Sequence, residues 1–502
     1  MAEFPVTALP RAPLAPENPL PVGTALHYDA SLEFSGNDVI SGGHPWRVLR
    51  MNGTAMTHLR RWGESGTVDA STGSLARTLC DQGFVHPRFT TKVELDDVDV
   101  VVPVFNDARG LERLLTSLHE LHVTVVDDAS VNGDEIASIC RARNVTYIRL
   151  ATNQGPAAAR NAGARATTRE FLWFLDADVT VGNAAIAFAM LSSVFGDPRV
   201  AAVAPRICGE YTSTSALAHF EERFGPLDLG RETALVVPNG RVSYVPSASL
   251  IVRRTAFGDG FDESLRSAED VDFVWRLHDA GWLVRYEPTV VLHHRSRANT
   301  RDWLAQRASY GASAASLAAR HPDRVRPVRV DAVTALTWWA VITRRWRLAG
   351  AATELAIDGV AEQLPDTLED RQRTSQNLAL RGMARSGLPL ARALTRSYLP
   401  LLVLALVPRR TRRIAVLMIA AGTFERLRHQ PPHPRDVLVS LADDAAYSVG
   451  LFRGAWHARR LDVIVPSVSW RSLIRETRRH LMRADAPSPS RNSRRQRASL
   501  HQ

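Results

Sequence analysis

Cysteine is scarce in this chain of 502 residues, which contains only Cys80, Cys140 and Cys208. An odd count at wide spacings excludes a disulfide framework and a Cys-x-x-Cys zinc site, and it suits a reducing cytoplasm. The first residues are rich in proline and contain no apolar core, which excludes a secretory signal peptide. We therefore expect a cytoplasmic protein whose residues 1–22 form a disordered arm.

Lysine is almost absent, because Lys92 is the only one and nearly all the positive charge is arginine. The formal net charge is +10, with 45% hydrophobic and 23% charged residues. This composition is typical of a globular protein, and the length allows about two to four domains. A net positive charge favours binding to nucleic acid, to an anionic membrane surface or to a phosphate-bearing substrate. The composition does not distinguish among these three partners.

Apolar runs long enough to cross a membrane are also missing. Two short apolar runs, Tyr398–Val407 and Ile414–Phe424, flank the arginine-rich segment 408–413, and a spanning helix needs about 20 residues. The pattern predicts a helical hairpin that is either buried or dips into a membrane interface. We expect a helical region over 316–480, a basic tail over 481–502, and a peripheral position at the cytoplasmic face of the inner membrane.

Residues 23–92 form a small unit of their own. Strand-like runs near Leu32–Phe34 and Trp46–Leu49 flank a turn-rich segment, and helical patterns follow over Asn52–Trp62 and Ser74–Gln82. Two strands followed by helices in this length predict a winged-helix-like domain.

From residue 95 to 315 the pattern alternates between apolar strands and helices. The run 98–105 is almost wholly apolar, as expected for a parallel strand buried on both faces. This alternation predicts an α/β fold with a doubly wound, mostly parallel sheet. Ligands bind at the carboxyl ends of such strands, where this sequence carries Asp127, Asp128, Asp176 and Asp178.

The triplet Asp176–Ala177–Asp178 follows a fully apolar strand. Carboxylates placed there could hold Mn²⁺ or Mg²⁺, since these ions prefer oxygen ligands and complete their shell with substrate phosphates. Such an ion would stabilise the charge that develops on a diphosphate leaving group. A capped strand end is the structural alternative.

Four further groups carry candidate chemistry, each with a capping or packing role as its alternative. An acidic residue after the second strand, Asp127 or Asp128, could accept hydrogen bonds from a ribose or base. The turn and helix start that contain Asn153, Gly155, Arg160 and Asn161 could bind phosphate.

A general base is expected at the start of a later helix. Glu269 and Asp270 precede an apolar helical face, and the helix dipole favours their ionised forms. His293 and His294 follow a strand-like run. A histidine here, His293 first, could be a third metal ligand or a phosphate contact, or simply a histidine in the core or at the rim of the site. The sequence contains neither a Gly-x-Ser-x-Gly elbow nor a Walker loop.

In their order and spacing, five segments resemble family 2 glycosyltransferases of the GT-A fold. The resemblance implies an inverting single displacement from a UDP- or dTDP-sugar, with Asp270 as the base. It also implies a metal that is bound by Asp178 and supported by Asp176. Asp128 would contact the uracil or thymine of the donor, and the nucleotide would be lined by Pro103, Val104, Phe105 and Asn106. The segments are 100–107, 125–130, 153–163, 174–179 and 268–277.

One segment departs from the processive polysaccharide synthases of this family. Those enzymes carry a Gln-x-x-Arg-Trp motif, whereas this chain has QRASYG over 306–311. The difference disfavours synthesis of long chains through a membrane channel.

The N-terminal unit resembles the PqqD-like peptide-recognition fold, and its fusion to a family 2 domain resembles the glycosyltransferases of the mycofactocin system. This resemblance implies transfer of glucose from UDP-glucose to premycofactocin, a peptide-derived redox cofactor, and extension as a short β-1,4-glucan. The acceptor would be that small molecule or its carrier peptide, and no nucleic acid is expected. Two alternatives stay open: a rhamnosyl-, galactosyl- or mannosyltransferase of cell-wall or lipid-linked glycans, and a non-catalytic protein that binds peptide or nucleic acid.

Overall fold

A computed structural model describes residues 19–43, 46–210, 215–295, 299–322, 324–362, 364 and 370–470. By its internal contacts the chain divides into two units. The first comprises 1–325 with 426–463, and the second comprises 326–425 with 464–502. The helical C-terminal region is therefore shared between the units, and a helix runs across the predicted boundary at residue 315. The predicted basic tail at 481–502 lies outside the described residues.

The first unit begins with a small domain that has two helices and two small sheets in its described part. One sheet pairs β1 with β5 in antiparallel fashion, and the other has the order β2-β3-β4. The predicted helices are confirmed, and Asn52 caps the first through its side chain. The elements are β1 (Ala25–Tyr28), β2 (Glu33–Ser35), β3 (Val39–Gly42), β4 (Arg47–Arg50), α1 (Gly53–Gly63), α2 (Gly73–Asp81) and β5 (Val85–Arg88).

Two expectations for this domain were wrong. The segment predicted as a turn contains strand β3, because Val39 and Ile40 are fully buried and pair with strands on both sides. The end of the predicted disordered arm is ordered, because Leu20 is buried in the domain core and its amide donates to the carbonyl of Gly73. In both places a few apolar side chains outweigh the turn-forming residues around them.

A nine-stranded sheet forms the centre of the first unit, in the order β10-β14-β11-β13-β9-β6-β7-β8 with β12 paired to β14. The pairs β8–β7, β7–β6 and β6–β9 are parallel, as the sequence predicts, whereas β13 runs antiparallel to both β9 and β11. The strands are β6 (Val98–Val104), β7 (His122–Asp127), β8 (Thr146–Arg149), β9 (Phe171–Leu175), β10 (Val179–Thr180), β11 (Val200–Glu210), β12 (Ala234–Leu235), β13 (Ser249–Arg253) and β14 (Leu283–Arg295).

Helices cover both faces of this sheet and enclose two apolar cores. One core joins Val100 and Trp173 of the strands to Leu111 and Phe188, and the other joins Leu172 to helices on the opposite face. This is the doubly wound arrangement expected from the alternating pattern. The helices are α3 (Ala108–Ser117), α4 (Gly133–Ala142), α5 (Pro156–Arg165), α6 (Ala184–Ser192), α7 (Ala216–Phe224), α8 (Arg254–Phe257), α9 (Glu269–Asp279) and α10 (Thr300–Arg320).

Buried ion pairs attach the N-terminal domain to the central sheet domain. Arg77 of α2 forms a bidentate pair with Asp197, and Asp29 accepts from Arg241 at 3.0 Å and contacts His86 at 2.8 Å. The side chains of Asp29 and Asp197 are fully buried. Removing one partner of such a pair would leave an uncompensated buried charge, so the two domains are fixed together within this unit.

The remaining helices follow in chain order and confirm the predicted helical C-terminal region. In the second unit β15 and β16 form a short parallel pair that the sequence did not indicate. Within the described ranges, no helix combines the length and the apolar character needed to cross a bilayer. The elements are β15 (Arg329–Asp331), α11 (Ala332–Ile342), α12 (Trp346–Ala361), α13 (Arg371–Leu404), α14 (Arg409–Leu427), α15 (Pro434–His457) and β16 (Ser467–Ser469).

Helices α10 and α15 of the first unit pack at very short range because glycines lie at their contact. A Cβ atom built on Gly450 would overlap the carbonyl oxygen of Ala308, and one on Gly311 would overlap the carbonyl oxygen of Tyr447. Backbone atoms cannot move aside as a flexible side chain can. These glycines therefore fix the position of α10 against α15.

Replacing Gly450 with alanine is expected to lower the free energy of unfolding by about 1–3 kcal/mol, because the added methyl group overpacks this contact. Chemical denaturation followed by circular dichroism measures the change. Gly350→Ala on α12 is the matched control, since its Cβ would meet no atom within 4 Å and should add up to about 1 kcal/mol of helix stability. Equal effects of the two substitutions would contradict the packing argument.

Candidate functional site

A cavity of about 540 Å³ opens at the carboxyl ends of β6, β7 and β9. It brings together most of the site residues predicted from the sequence, from five separate segments of the chain. The predicted residues that line it are Pro103, Val104, Phe105, Asp128, Asn153, Gly155, Arg160, Asp176, Asp178, Glu269 and Asp270.

Arg160 of α5 joins the two acidic groups of this cavity. Its guanidinium donates to Asp176 at 2.5 Å and to Glu269 at 2.8 Å, and it lies 5.6 Å from the centre of the Phe261 ring. Arg160 is buried, and although burial opposes its charge, the two carboxylates raise its pKa above the ordinary value. Arg160 therefore connects the strand-end aspartates to the start of α9 instead of projecting freely into the cavity.

Asp178 is the more available carboxylate of the predicted metal pair. The side chain of Asp176 is 28% exposed and accepts from Arg160, and burial raises its pKa, whereas the side chain of Asp178 is 37% exposed. His294 Nε2 lies 3.2 Å from Asp178 Oδ2. Burial opposes the charge of His294, but the Asp178 carboxylate outweighs it and raises the pKa of the imidazole. This carboxylate and imidazole face the same cavity.

Of the two adjacent histidines, the structure places His294, and not His293, beside the predicted metal pair. Successive side chains of a strand point to opposite faces, and on β14 it is His294 that lines the cavity, while His293 is exposed and paired with Thr180. The sequence offered both histidines, and only the register of β14 against β10 decides between them.

Asp270 lies at the first turn of α9, half-buried and facing the cavity. Its Oδ1 accepts from the amide of Val271 at 2.8 Å, and its Oδ2 accepts a long hydrogen bond from the amide of Ser247 at 3.3 Å. Burial, followed by the nearby charge of Glu269, raises the pKa of Asp270 to about 7. A carboxylate with this pKa can accept a proton near neutral pH.

Asp128 shapes the loop before α5. Its two carboxylate oxygens accept from the amides of Gln154 and Gly155, each at 2.7 Å. Gly155 has a φ of 94°, a conformation that favours glycine, and α5 starts directly after it. This arrangement turns the amino-terminal end of α5 toward the cavity, where helix amides and dipole favour a phosphate.

Asp127 lies outside the cavity, contrary to its predicted role in donor binding. The carboxylate is fully buried and accepts from the Ser130 amide, the Tyr147 hydroxyl and the Arg149 guanidinium. Of two adjacent aspartates at the end of β7, one therefore faces the packed interior and the other faces the loop that borders the site.

Asn106 and Asn161 are likewise absent from the cavity wall. Asn106 has a φ of 58°, and its backbone and side chain bind Ser130 and Val131. Asn161 is buried and exchanges two hydrogen bonds with the backbone of Phe261. Both asparagines hold loops beside the site, and neither lines the cavity in which the donor is expected.

Several cavity residues carried no recognised motif. Arg266 lies outside the recognised segments and donates to Asn153 Oδ1 at 3.2 Å. Gln306 and Tyr310 come from α10. The only sequence signal for the last two was their position in the segment that differs from the Gln-x-x-Arg-Trp motif.

Strained backbone surrounds the site. Ala129 follows Asp128 with a φ of 60°, and Ala268 precedes Glu269 with a φ of 64°. Each such residue costs about 1–3 kcal/mol and persists only where its surroundings enforce it. Ala129 and Ala268 are each adjacent to an acidic residue that lines the cavity.

The residues present fit a divalent cation bound partly by a substrate. Within the described segments, no three His, Cys, Asp or Glu side chains are grouped so that they could enclose a metal ion. Asp178 and His294 offer one oxygen and one nitrogen donor in adjacent positions. Mn²⁺ and Mg²⁺ prefer the carboxylate oxygen of such a pair and commonly complete their shell with phosphate oxygens.

The mixed α/β sheet and its acidic cavity define a GT-A-like glycosyltransferase, and residues 99–258 match the model of glycosyl transferase family 2. The chain is 36% identical over 472 residues to the pre-mycofactocin glycosyltransferase of Mycobacterium tuberculosis (strain ATCC 25618 / H37Rv), covering 89% of this chain and 98% of the relative. The chain therefore belongs to glycosyl transferase family 2, and its near full-length relative is an enzyme of the mycofactocin system.

Two further similarities are more distant. The N-acetylglucosaminyl-diphospho-decaprenol L-rhamnosyltransferase of the same organism is 29% identical over 293 residues, covering 51% of this chain and 90% of the relative. The mannosyltransferase PcManGT from Pyrobaculum calidifontis, solved in complex with GDP-Man and Mn²⁺, has a TM-score of 0.35 and 18% identity, covering 68% of this chain and 91% of that chain.

Proposed function

We propose that this enzyme transfers glucose from UDP-glucose to premycofactocin with inversion and extends the product as a short β-1,4-glucan. The observation that carries the proposal is the single cavity in which Asp178 and the start of α5 share a wall with Asp270. The first two features suit a diphosphate, and the third suits an acceptor hydroxyl. The near full-length similarity to a pre-mycofactocin glycosyltransferase supports the choice of acceptor.

Donor binding begins at the carboxyl ends of β6 and β7. Pro103, Val104 and the half-exposed Phe105 offer a surface for the uracil base. The diphosphate lies at the amino-terminal end of α5, near the guanidinium of Arg266. Amides at a helix start and an arginine both bind phosphate oxygens.

Asp178, with His294 beside it and Asp176 behind it, holds Mn²⁺ or Mg²⁺ in this proposal. When bound, the ion neutralises the negative charge that develops on the departing diphosphate. Arg160 keeps Asp176 and Glu269 in place through its two hydrogen bonds. Glu269 is thereby committed to Arg160, which leaves Asp270 as the base.

Asp270 accepts the proton of the acceptor hydroxyl while that oxygen bonds to the anomeric carbon of the sugar. The bond from this carbon to the diphosphate breaks on the opposite face, so one displacement inverts the configuration. Holding base, acceptor and donor in one cavity removes most of the entropic cost of bringing them together.

The N-terminal domain binds the peptide-derived acceptor in this proposal, as a PqqD-like domain. Two large aromatic side chains are exposed there, Phe34 at 38% and Trp46 at 51%. Phe34 is on β2, an edge strand of the sheet β2-β3-β4, and Trp46 directly precedes β4, the other edge. Exposed aromatics of this kind are common anchors for a binding partner.

Removing both aromatics by Phe34→Ala with Trp46→Ala is expected to raise the KM for the acceptor about tenfold or more. The affinity for UDP should stay within about twofold, because the donor lies in a different domain. Steady-state kinetics and calorimetry measure the two quantities. Trp456→Ala, at an 83% exposed position on α15, is the control, and an unchanged acceptor KM in the double variant would contradict this role.

The turn between α13 and α14 is proposed to contact an anionic membrane surface. Leu404 and Val407 are 65% and 73% exposed, and the exposed Arg409 and Arg410 follow them. Apolar side chains next to arginines suit an interface, where each arginine contributes about 1 kcal/mol of attraction to anionic lipid.

Arg409→Glu with Arg410→Glu is expected to abolish sedimentation with vesicles that contain phosphatidylglycerol. Vesicles of phosphatidylcholine alone should bind little of either protein, because the attraction is electrostatic. Arg301→Glu with Arg435→Glu, at two other exposed positions, controls for net charge. Equal binding of the wild-type protein to both vesicle types would contradict the proposal.

Transfer of rhamnose to a lipid-linked acceptor is the second candidate, favoured by the 29% identity to an L-rhamnosyltransferase. A donor screen distinguishes the two candidates. UDP-glucose, UDP-galactose, dTDP-rhamnose and GDP-mannose are compared by thermal stabilisation with Mn²⁺, and a donor at 100 times its Kd adds about 2.7 kcal/mol. We expect the largest effect from UDP-glucose, and a larger effect from dTDP-rhamnose would favour the second candidate.

A further inference from the structure

The segment 225–248, between α7 and β13, contacts both the catalytic cavity and the N-terminal domain. Its last three residues, 246–248, line the cavity. Earlier in the same segment, the guanidinium of Arg241 donates to Asp29 Oδ2 of the N-terminal domain at 3.0 Å. One stretch of chain therefore connects the proposed acceptor-binding domain to the wall of the cavity.

The contact with the N-terminal domain is made to a buried carboxylate. Asp29 lies between β1 and β2, its side chain is fully buried, and His86 Nε2 is 2.8 Å from it. Arg241 also donates to the carbonyl oxygen of Thr233 at 2.8 Å, so its guanidinium is held from its own segment as well. Because a buried carboxylate that loses its cation is costly, this pair fixes Arg241 against the N-terminal domain.

Packing connects the position of Arg241 to that of Ser247, six residues later. Val245 is fully buried in the apolar core that it shares with α9. The indole of Trp275 on α9 donates to the carbonyl oxygen of Ser243 at 2.8 Å. Closely packed interiors transmit a displacement and do not absorb it. A shift at Arg241 is therefore expected to move Ser247 as well.

Ser247 in turn contacts the carboxylate of Asp270. The amide of Ser247 donates to Asp270 Oδ2 at 3.3 Å, and the amide of Val271, on α9 itself, donates to Oδ1 at 2.8 Å. Two donors on different oxygens fix the plane of the carboxylate, and one of them comes from outside α9. The orientation of Asp270 thus depends on a segment that the N-terminal domain holds.

We propose that Arg241 is a positioning residue for sugar transfer, through which the N-terminal domain sets the orientation of Asp270. The inference rests on the proposed function, in which Asp270 takes the proton of the acceptor hydroxyl. A carboxylate held by two donors meets that hydroxyl in one orientation, whereas a carboxylate held by one donor can rotate away from it. An acceptor bound to the N-terminal domain then presents its hydroxyl to a base whose position that same domain fixes.

Arg241→Ala is expected to lower kcat about tenfold, which corresponds to about 1.4 kcal/mol, while the Kd for UDP stays within about twofold. Losing the Ser247 hydrogen bond removes a donor that favours the ionised carboxyl of Asp270, so the pKa of Asp270 should rise. The rise of kcat/KM with pH should therefore move above about 7. Glu269 on α9 and Arg160 on α5 also act on this pKa, and both are unchanged in the variant.

Three further variants separate positioning from a general loss of structure. Arg241→Lys keeps the cation and should stay close to the wild type. Arg231→Ala, at an exposed position of the same segment, removes the same charge and is the matched control. Asp29→Asn removes the partner in the other domain and carries the same prediction should Arg241→Ala not fold. Combining it with Arg241→Ala should add little further loss, because the two residues act as one pair.

Steady-state kinetics over a range of pH decide the outcome. Wild-type kcat in Arg241→Ala, an equal loss in Arg231→Ala, or a lower kcat with an unchanged pH profile would overturn the positioning role and leave the proposed function intact. Wild-type turnover by Asp270→Asn would instead refute the proposed base, and this inference with it.

Discussion

Substituting Asp270 with asparagine is expected to lower kcat by about 10³-fold, near the middle of the range for removing a general base. Asparagine keeps the size of the side chain but cannot accept the proton of the acceptor hydroxyl. Because Asp270 does not contact the nucleotide in our proposal, the Kd for UDP should be unchanged by calorimetry. Turnover near the wild-type rate would contradict the assignment of the base.

The pH dependence gives an independent check on the same residue. The pKa of Asp270 is raised to about 7, and only its ionised form can act as a base. We therefore expect kcat/KM to rise with pH through about 7 and then level off. The residual activity of Asp270→Asn should lack this rise, and retention of the rise would show that another group titrates.

The free energy of unfolding should depend on pH in the opposite direction to kcat/KM, falling as the pH rises. A carboxyl group whose pKa is higher in the folded than in the unfolded state binds more protons when folded, so its contribution to stability is lost as pH rises from about 4 to about 7. Asp270→Asn removes this penalty. Its melting temperature should therefore exceed that of the wild type at pH 8, and the difference should shrink toward pH 4.

Substituting Asp178 with alanine is the second large effect that we expect. Losing the principal carboxylate ligand should reduce kcat/KM by about 10³-fold, because a bound divalent ion supplies several kcal/mol of charge stabilisation. The variant should also lose the effect of Mn²⁺ on UDP affinity, which calorimetry with and without EDTA measures.

His294 and His293 provide a matched pair for this experiment. His294→Ala should weaken Mn²⁺ binding about 10–100-fold, since it lies against Asp178. His293→Ala removes the same side chain from the exposed face of β14 and should behave like the wild type. Full activity of Asp178→Ala, or of the wild type after exhaustive chelation, would contradict the metal site.

The sequence was sufficient to predict the strands and helices that have a strong local pattern of apolar residues. The apolar runs that became β6, β7 and β9 are buried on both faces, and their alternation with amphipathic helices leaves few other folds. Strand β3 was missed because two buried residues between turn-forming neighbours carry little periodic signal.

The candidate site was predictable at the level of motifs but not of individual side chains. Asp127 and Asp128 are adjacent, and only the burial of the first beneath Tyr147 and Arg149 tells them apart. Arg160 was expected to contact phosphate, yet it binds two carboxylates that are distant in sequence. Such pairings are set by tertiary packing, and a single sequence does not reveal which distant residues pack together.

The cavity residues of α10 could not be predicted from the sequence, for a related reason. Gln306 and Tyr310 match no motif, and they line the cavity from α10, which glycines and Arg307 hold against α15. Helices α10 and α15 are far apart in the sequence. Only the folded chain shows that a helix beyond the predicted catalytic segments completes the site.

The central claim is tested most directly by the mass of the product formed from premycofactocin, UDP-glucose and Mn²⁺. We predict successive additions of one hexose mass, β-linked by nuclear magnetic resonance, with the wild-type enzyme, and about 10³-fold slower addition with Asp270→Asn. No hexose addition by the wild-type enzyme, while it transfers rhamnose from dTDP-rhamnose to a lipid-linked acceptor, would contradict the account.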